Sequence, residues 1–86
     1  MTPLKANPDI VFKREGDEGV LFDPETGTLR FLNETGAFVF SHLGEVADRS
    51  TIVDRMLDAF DIPSREDAER DLDAFLDEMR EAGIVN

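Results

Sequence analysis

Thr28-Leu29-Arg30-Phe31-Leu32-Asn33-Glu34-Thr35-Gly36-Ala37-Phe38-Val39-Phe40 is the stretch where the chain changes character, a short β run passing into an apolar helical run with no loop between. Asn33 is the hinge. Its side-chain oxygen can accept from the free N–H groups of a first helical turn, and Glu34 beside it suits the positive end of the helix dipole. Everything before Asn33 reads as strands and turns, and everything after it as helices.

Working back from Thr28, Asp23-Pro24-Glu25-Thr26-Gly27 is a turn, because Pro24 lacks an N–H and Gly27 can take positive φ. Val20-Leu21-Phe22 before it reads as a strand. Glu15-Gly16-Asp17-Glu18-Gly19 has the composition of a hairpin loop, and Ile10 to Arg14 reads as a first strand. Met1 to Pro8 is polar, holds Pro3 and Pro8 and shows no periodicity, so residues 1–8 read as a flexible arm and 9–86 as the domain. In the strand Thr28 to Leu32, Leu29 and Phe31 point one way and Thr28, Arg30 and Leu32 the other, so both faces carry apolar residues. Either one set packs on the helices while the other is partly exposed, or the strand is an edge kept apolar for a partner.

Working forward, the first helix runs from about Glu34 to His42, apolar nearly all round, as suits a helix between the sheet and other helices. Gly36 in its first turn costs about 1 kcal/mol of helix propensity, which points to a close backbone approach. Gly44 to Arg49 reads as a connector with Ser50 as the next N-cap, and Ile52, Val53, Met56, Leu57 and Phe60 form one side of a second helix. After Asp61-Ile62-Pro63, Ser64 to Asp67 reads as a capping box, with Asp67 where Glu or Gln is usual. The last helix, about Arg65 to Ala82, buries a stripe of Ala68, Leu72, Phe75, Leu76, Met79 and Ala82, and Gly83 suits its C′ position. Three strands followed by three helices make an α+β domain, a three-stranded antiparallel meander in a winged helix-turn-helix-like arrangement.

Composition narrows the function. Eighty-six residues make one domain that buries about 60–70% of its unfolded surface, which leaves no room for a deep enclosed active site. There is no Cys, and no Ser, Cys or second His is expected within reach of the single His42 to form a site with it, so no catalytic residue, metal site or cofactor is expected. Asp71 and Glu78 could do acid/base work, but their spacing on a solvated helix points to no shared pocket. The net charge of −11, from 20 acidic and 9 basic residues, opposes phosphate backbones and anionic membranes, so neither is expected as a partner. A winged-helix DNA-binding or transcription-regulatory domain is the alternative that this fold class admits, and that charge disfavours it. With no apolar signal region and no membrane-length span, the chain reads as cytoplasmic. The last helix sets Glu66, Asp67, Glu69, Asp71, Asp73, Asp77, Glu78 and Glu81 against Arg65, Arg70 and Arg80. Local pairs such as Glu66 with Arg70 and a solvated remainder account for this; so would a ridge that holds a peptide presenting Lys or Arg beside apolar anchors.

Asp23-Pro24-Glu25-Thr26-Gly27, Leu32-Asn33-Glu34-Thr35-Gly36, the Gly44 connector, Asp71-Leu72 with Phe75-Leu76, and Gly83-Ile84-Val85 occur in an order and spacing that resemble the PqqD family, from about Asp9 to the C-terminus. These are small proteins similar to the one serving pyrroloquinoline quinone (PQQ) biosynthesis. The resemblance implies a non-catalytic recognition element, or peptide chaperone, for ribosomally made and modified peptides (RiPPs). Such an element holds the leader of a precursor peptide and presents it to a modifying enzyme such as a radical-SAM enzyme or a peptidase/cyclase. In the family the leader adds as a strand to the third strand, in the groove against the last helix. Carried onto this chain, Thr28, Leu29, Arg30, Phe31 and Leu32 would be the pairing edge. Asp67, Ala68, Asp71, Leu72, Phe75, Glu78 and Met79 would be candidates for the opposite wall. The family more often has an apolar residue at the position of Arg30 and a polar one at that of Phe31, so which of the two meets the ligand stays open. An edge of this kind can also pair with its own copy to give a homodimer.

Overall fold

The computed structural model describes residues 5–43 and 48–85. Its order is β1 (Val11–Glu15), β2 (Glu18–Asp23), β3 (Thr28–Leu32), α1 (Glu34–Leu43), α2 (Arg49–Ala59) and α3 (Arg65–Glu81), the α+β meander-then-helices arrangement expected. The sheet is antiparallel in the order β1-β2-β3. β1 starts one residue later than the sequence indicates, and β2 extends to both sides of Val20 to Phe22, because the first hairpin is tighter than a five-residue loop. Glu15 pairs with Glu18, leaving Gly16 and Asp17 as the turn, with Gly16 at φ 64° as primed turns require. The second hairpin closes through the Gly27 N–H donating to the Asp23 carbonyl at 2.7 Å, with Gly27 at φ 74°.

The register sorts the faces. Phe12, Leu21 and Arg30 stand in one row and Arg14, Gly19 and Leu32 in another, on the side that meets the helices, with Leu21 and Leu32 buried. Val11, Phe22 and Leu29, and then Lys13, Val20 and Phe31, occupy the opposite side, where Leu29 is 57% and Phe31 75% exposed. α1 lies on the sheet because Gly19 carries no side chain: a Cβ there would come 2.7 Å from the Phe12 ring and 3.2 Å from the Ala37 Cβ. Ala37, Val39, Phe40 and Leu43 of α1 join Ile52, Val53 and Met56 of α2 and Leu72, Leu76 and Met79 of α3 in one core. Full burial of a side chain this large stabilises by about 1.5–3 kcal/mol.

The caps explain where the helices begin. Asn33 accepts from the Gly36 N–H at 2.8 Å, and Ser64 from the Asp67 N–H at 3.1 Å. The Asp67 carboxylate does not complete a capping box; one methylene shorter than Glu, it accepts from Arg70 Nη1 at 3.1 Å instead. The α2 cap is Asp48, which accepts from the Thr51 N–H at 2.7 Å, so the expected Ser50 lies inside the first turn, where its hydroxyl accepts from Arg65. Those hydrogen bonds to Thr51 hold the Asp48 carboxyl below its usual pKa. The connector residues 44–47 are outside the described residues.

Arg49 ties α2 to α3. Its Nε and Nη2 donate to Asp73 at 2.9 and 2.8 Å and its Nη1 to Glu69 at 3.2 Å. These contacts lower the Asp73 pKa and raise that of Arg49. At the far end, the Gly83 N–H donates to Arg80 and the Ile84 N–H to Met79, closing α3 with Gly83 at φ 74° and burying Ile84 and Val85. The tail then holds the N-terminal segment. The Asn7 N–H donates to the Ile84 carbonyl at 2.7 Å, and Ala6 bridges Val85. Residues 6 and 7 are therefore part of the fold rather than of an arm, because the C-terminal tail offers them a backbone edge.

Candidate functional site

The strand order leaves β3 with a partner on one side only: β2 takes its inner edge, and among the described residues no strand takes the other. A row of backbone donors and acceptors is thereby left for an incoming chain. Beside this edge α3 passes at a distance, and the space between is a trough of adjoining cavities.

Two of the cavities meet at Arg30. One, of about 190 Å³, is lined by Leu21, Thr28, Arg30, Ala82 and Ile84 among others. The next, of about 270 Å³, is lined by Arg30, Leu32, Asn33, Phe75, Glu78 and Met79 among others. It shares Asn33, Gly36, Phe75 and Glu78 with a third, of about 370 Å³, lined also by Val39, Met56, Asp71 and Ala74 of the three helices. Arg30 spans the trough: its Nη1 stands 3.3 Å from Glu78 Oε1. Its side chain is 35% exposed against 63% for that of Glu78. Asp71, further along the same helix face, makes no ion pair among the described residues.

The structure sorts the side chains of β3 between the two faces of the sheet. Arg30 and Leu32 turn toward α3, while Leu29 and Phe31 belong to the outer face of the sheet, with Phe31 also at the rim of the cavity of about 270 Å³. Of the seven wall candidates on α3, the trough gathers Asp71, Phe75, Glu78 and Met79. Ala68 and Leu72 are wholly buried and belong to the core behind the wall, because they lie on the stripe that α3 turns toward the other helices. Asp67 is a turn away, engaged with Arg70 at the start of the helix, and lines none of the three cavities. The sequence reading missed Asn33, Gly36 and Ala74 as wall residues. Ala74 was discoverable as the small residue three past Asp71 and four before Glu78, on the same face.

Among the described residues no group of three His, Asp or Glu side chains could hold a metal, and no buried polar side-chain atom lacks a partner. His42 is spent locally: its Nδ1 donates to the Phe38 carbonyl at 2.8 Å, the Ser41 hydroxyl lies 3.5 Å from the same nitrogen, and its ring packs at a tilt against that of Phe38. No described helix is long and apolar enough to cross a membrane.

Two solved structures share this architecture over nearly the whole chain. One, described as TbiB1 in complex with the TbiA(beta) leader peptide, superposes with a TM-score of 0.88 at 29% identity, over 95% of this chain and 94% of that one. The other, described as lasso peptide synthetase B1 complexed with the leader peptide, superposes at 0.85 with 24% identity, over 98% of each chain, and shows the common fold. No curated protein sequence matches the chain. The family model for coenzyme PQQ synthesis protein D matches residues 18–85, from β2 through the C-terminal tail, and the chain belongs to the PqqD family.

Proposed function

We propose that this domain is a non-catalytic recognition element that captures the leader of a ribosomally made precursor peptide by strand addition to β3 and presents it to a modifying enzyme. The observation that carries this reading is the open edge of Thr28–Leu32 standing beside a trough whose walls mix apolar side chains, Leu32, Phe75 and Met79, with the polar Arg30, Asn33 and Glu78. An added strand would satisfy the free backbone groups of β3, and every second side chain would drop toward Leu32, Phe75 and Met79. The solved relative with the higher superposition score was determined with a leader peptide, which supports the same use of the fold. The modifying enzyme fits two classes: a radical-SAM enzyme, as the family's tie to PQQ synthesis would favour, or the peptidase/cyclase of a lasso-peptide system. Self-pairing of β3 in a homodimer would use the same edge, so leader binding and dimerisation would compete.

The test is a titration of the ¹⁵N-labelled domain with the leader of the precursor encoded beside its gene. The expected result is amide shifts concentrated in residues 28–32 and on the Asp71, Phe75 and Glu78 face of α3. Absence of binding at micromolar concentration, or shifts confined to the outer sheet face around Val11 and Phe22, would overturn the reading.

A further inference from the structure

The division of the trough by Arg30 carries more than a place for a peptide. Among the described residues lining its three cavities, Arg30 is the one cation, against Asp23, Asp71 and Glu78. It lies in the middle row of the sheet, opposite Leu21, so a strand added to β3 would place one residue directly across from it, on the same face. The residues two before and two after that one would face the cavities on either side, by Ala82 and Ile84 in one direction and by Phe75 and Met79 in the other. A guanidinium has five N–H donors, and among the described residues only Nη1 of Arg30 makes a hydrogen bond, to Glu78. Covering the β3 edge would strip water from Arg30, the less exposed partner of the pair.

We infer that Arg30 is a specificity-determining residue of this trough, selecting leaders that carry a carboxylate between two apolar residues in the pattern apolar-x-acidic-x-apolar. The inference rests on the strand addition proposed above. The leader carboxylate takes the free N–H groups of Arg30 while Glu78 holds Nη1, and the apolar residues fill the two compartments. A Lys at the same position meets a like charge directly across the strand pair, which is destabilising. The selection is local; a leader positively charged elsewhere is still drawn by the acidic face of α3.

The test uses the full chain and three capped synthetic peptides with the cores Leu-Thr-Glu-Thr-Leu, Leu-Thr-Gln-Thr-Leu and Leu-Thr-Lys-Thr-Leu, which read the same in either strand direction. Binding is followed by the β3 amide shifts. The expected order of affinity is Glu over Gln over Lys, with about tenfold in Kd between Glu and Lys at low salt, narrowing as salt is raised. Arg30→Glu reverses the order, and Arg30→Gln abolishes the preference for the Glu peptide. Shifts at β3 with equal affinity for the Glu and Lys peptides, or a preference for Lys on the unaltered chain, overturn this selection and leave strand addition standing. No β3 shift with any of the three peptides or with the native leader overturns both.

Discussion

Gly36 of α1 faces Phe75 of α3 so closely that a Cβ on Gly36 would stand 3.2 Å from the Phe75 ring and 3.2 Å from Asn33 Oδ1. The first turn of α1 thus sets the position of an aromatic wall of the trough while the same Asn33 oxygen caps the helix. Gly36→Ala should gain up to about 1 kcal/mol of helix propensity and lose a similar amount by crowding the cap. Its net stability in urea should change by less than about 1 kcal/mol. Leader affinity should fall several-fold, with the Phe75 ring signals displaced. An undisturbed ring and unchanged affinity would mean that this turn does not set the width of the trough.

The opposed facing of Arg30 and Phe31 gives a second contrast. Phe31→Ser alters a side chain 75% exposed on the outer face, where its neighbour is Val20. Stability should fall by under about 1 kcal/mol, the worth of one cross-strand pair, and leader Kd should stay within about twofold. Phe75→Ala removes part of the trough wall and should weaken the leader by tenfold or more. If Phe31→Ser weakened the leader as much as Phe75→Ala does, the ligand would be meeting the outer face.

How far the sequence reached follows from the range of the interactions. β3, the Asn33 hinge and the Ser64 cap were legible because each depends on residues within one turn of itself. Asp48 was passed over for Ser50 because both residue types cap well, and only the position of α2 against Arg65 decides between them. The pairing of Ala6 and Asn7 with Val85 and Ile84 joins the two ends of the chain and leaves no local trace. At the site the apolar stripe of α3 was evident, but its rotation was not. Ala68 and Leu72 therefore entered the wall with Phe75, although they lie on the core side of the same helix.

That pairing of the chain ends makes the next prediction. Gly83 holds φ 74°, where an L residue costs about 1–2 kcal/mol, and both its own N–H and that of Ile84 close α3. Gly83→Ala should lower the unfolding free energy by about that amount. Hydrogen exchange at the Asn7 and Ile84 amides should accelerate more than at β2. Equal acceleration everywhere would show that the ends are not a separately opening unit.

Arg49 and Asp73 give the acid limb of stability. The carboxylate pKa of Asp73 is depressed by hydrogen bonds from Arg49, so the stabilisation is complete above the ordinary Asp pKa of about 4 and is lost as pH falls through the lowered folded value. Arg49 stays protonated throughout this range. Both side chains are about half exposed, which limits the contribution to about 1 kcal/mol. Arg49→Gln should therefore cost about 1 kcal/mol in urea unfolding at neutral pH and less near pH 3. A loss that stayed constant through the acid range would assign the contact to packing rather than to charge.

Charge at the trough should act on rate more than on lifetime. Among the described residues Asp71 is solvated and unpaired and the Glu78 carboxylate pairs with Arg30 alone, so both contribute to the negative field that an approaching leader meets. Asp71→Lys combined with Glu78→Lys reverses that field and leaves Arg30 without its anion. For a leader of net positive charge the association rate should fall by about tenfold at low ionic strength, and the difference should fade in salt as the Debye length drops below about 10 Å. The dissociation rate of an uncharged peptide with the same apolar anchors should barely move, because its contacts are to the β3 backbone, Phe75 and Met79. Stopped-flow fluorescence separates the two constants. A double variant that changes dissociation of the uncharged peptide more than association of the basic one would show that Asp71 and Glu78 act through contacts in the bound complex rather than through the field met on approach.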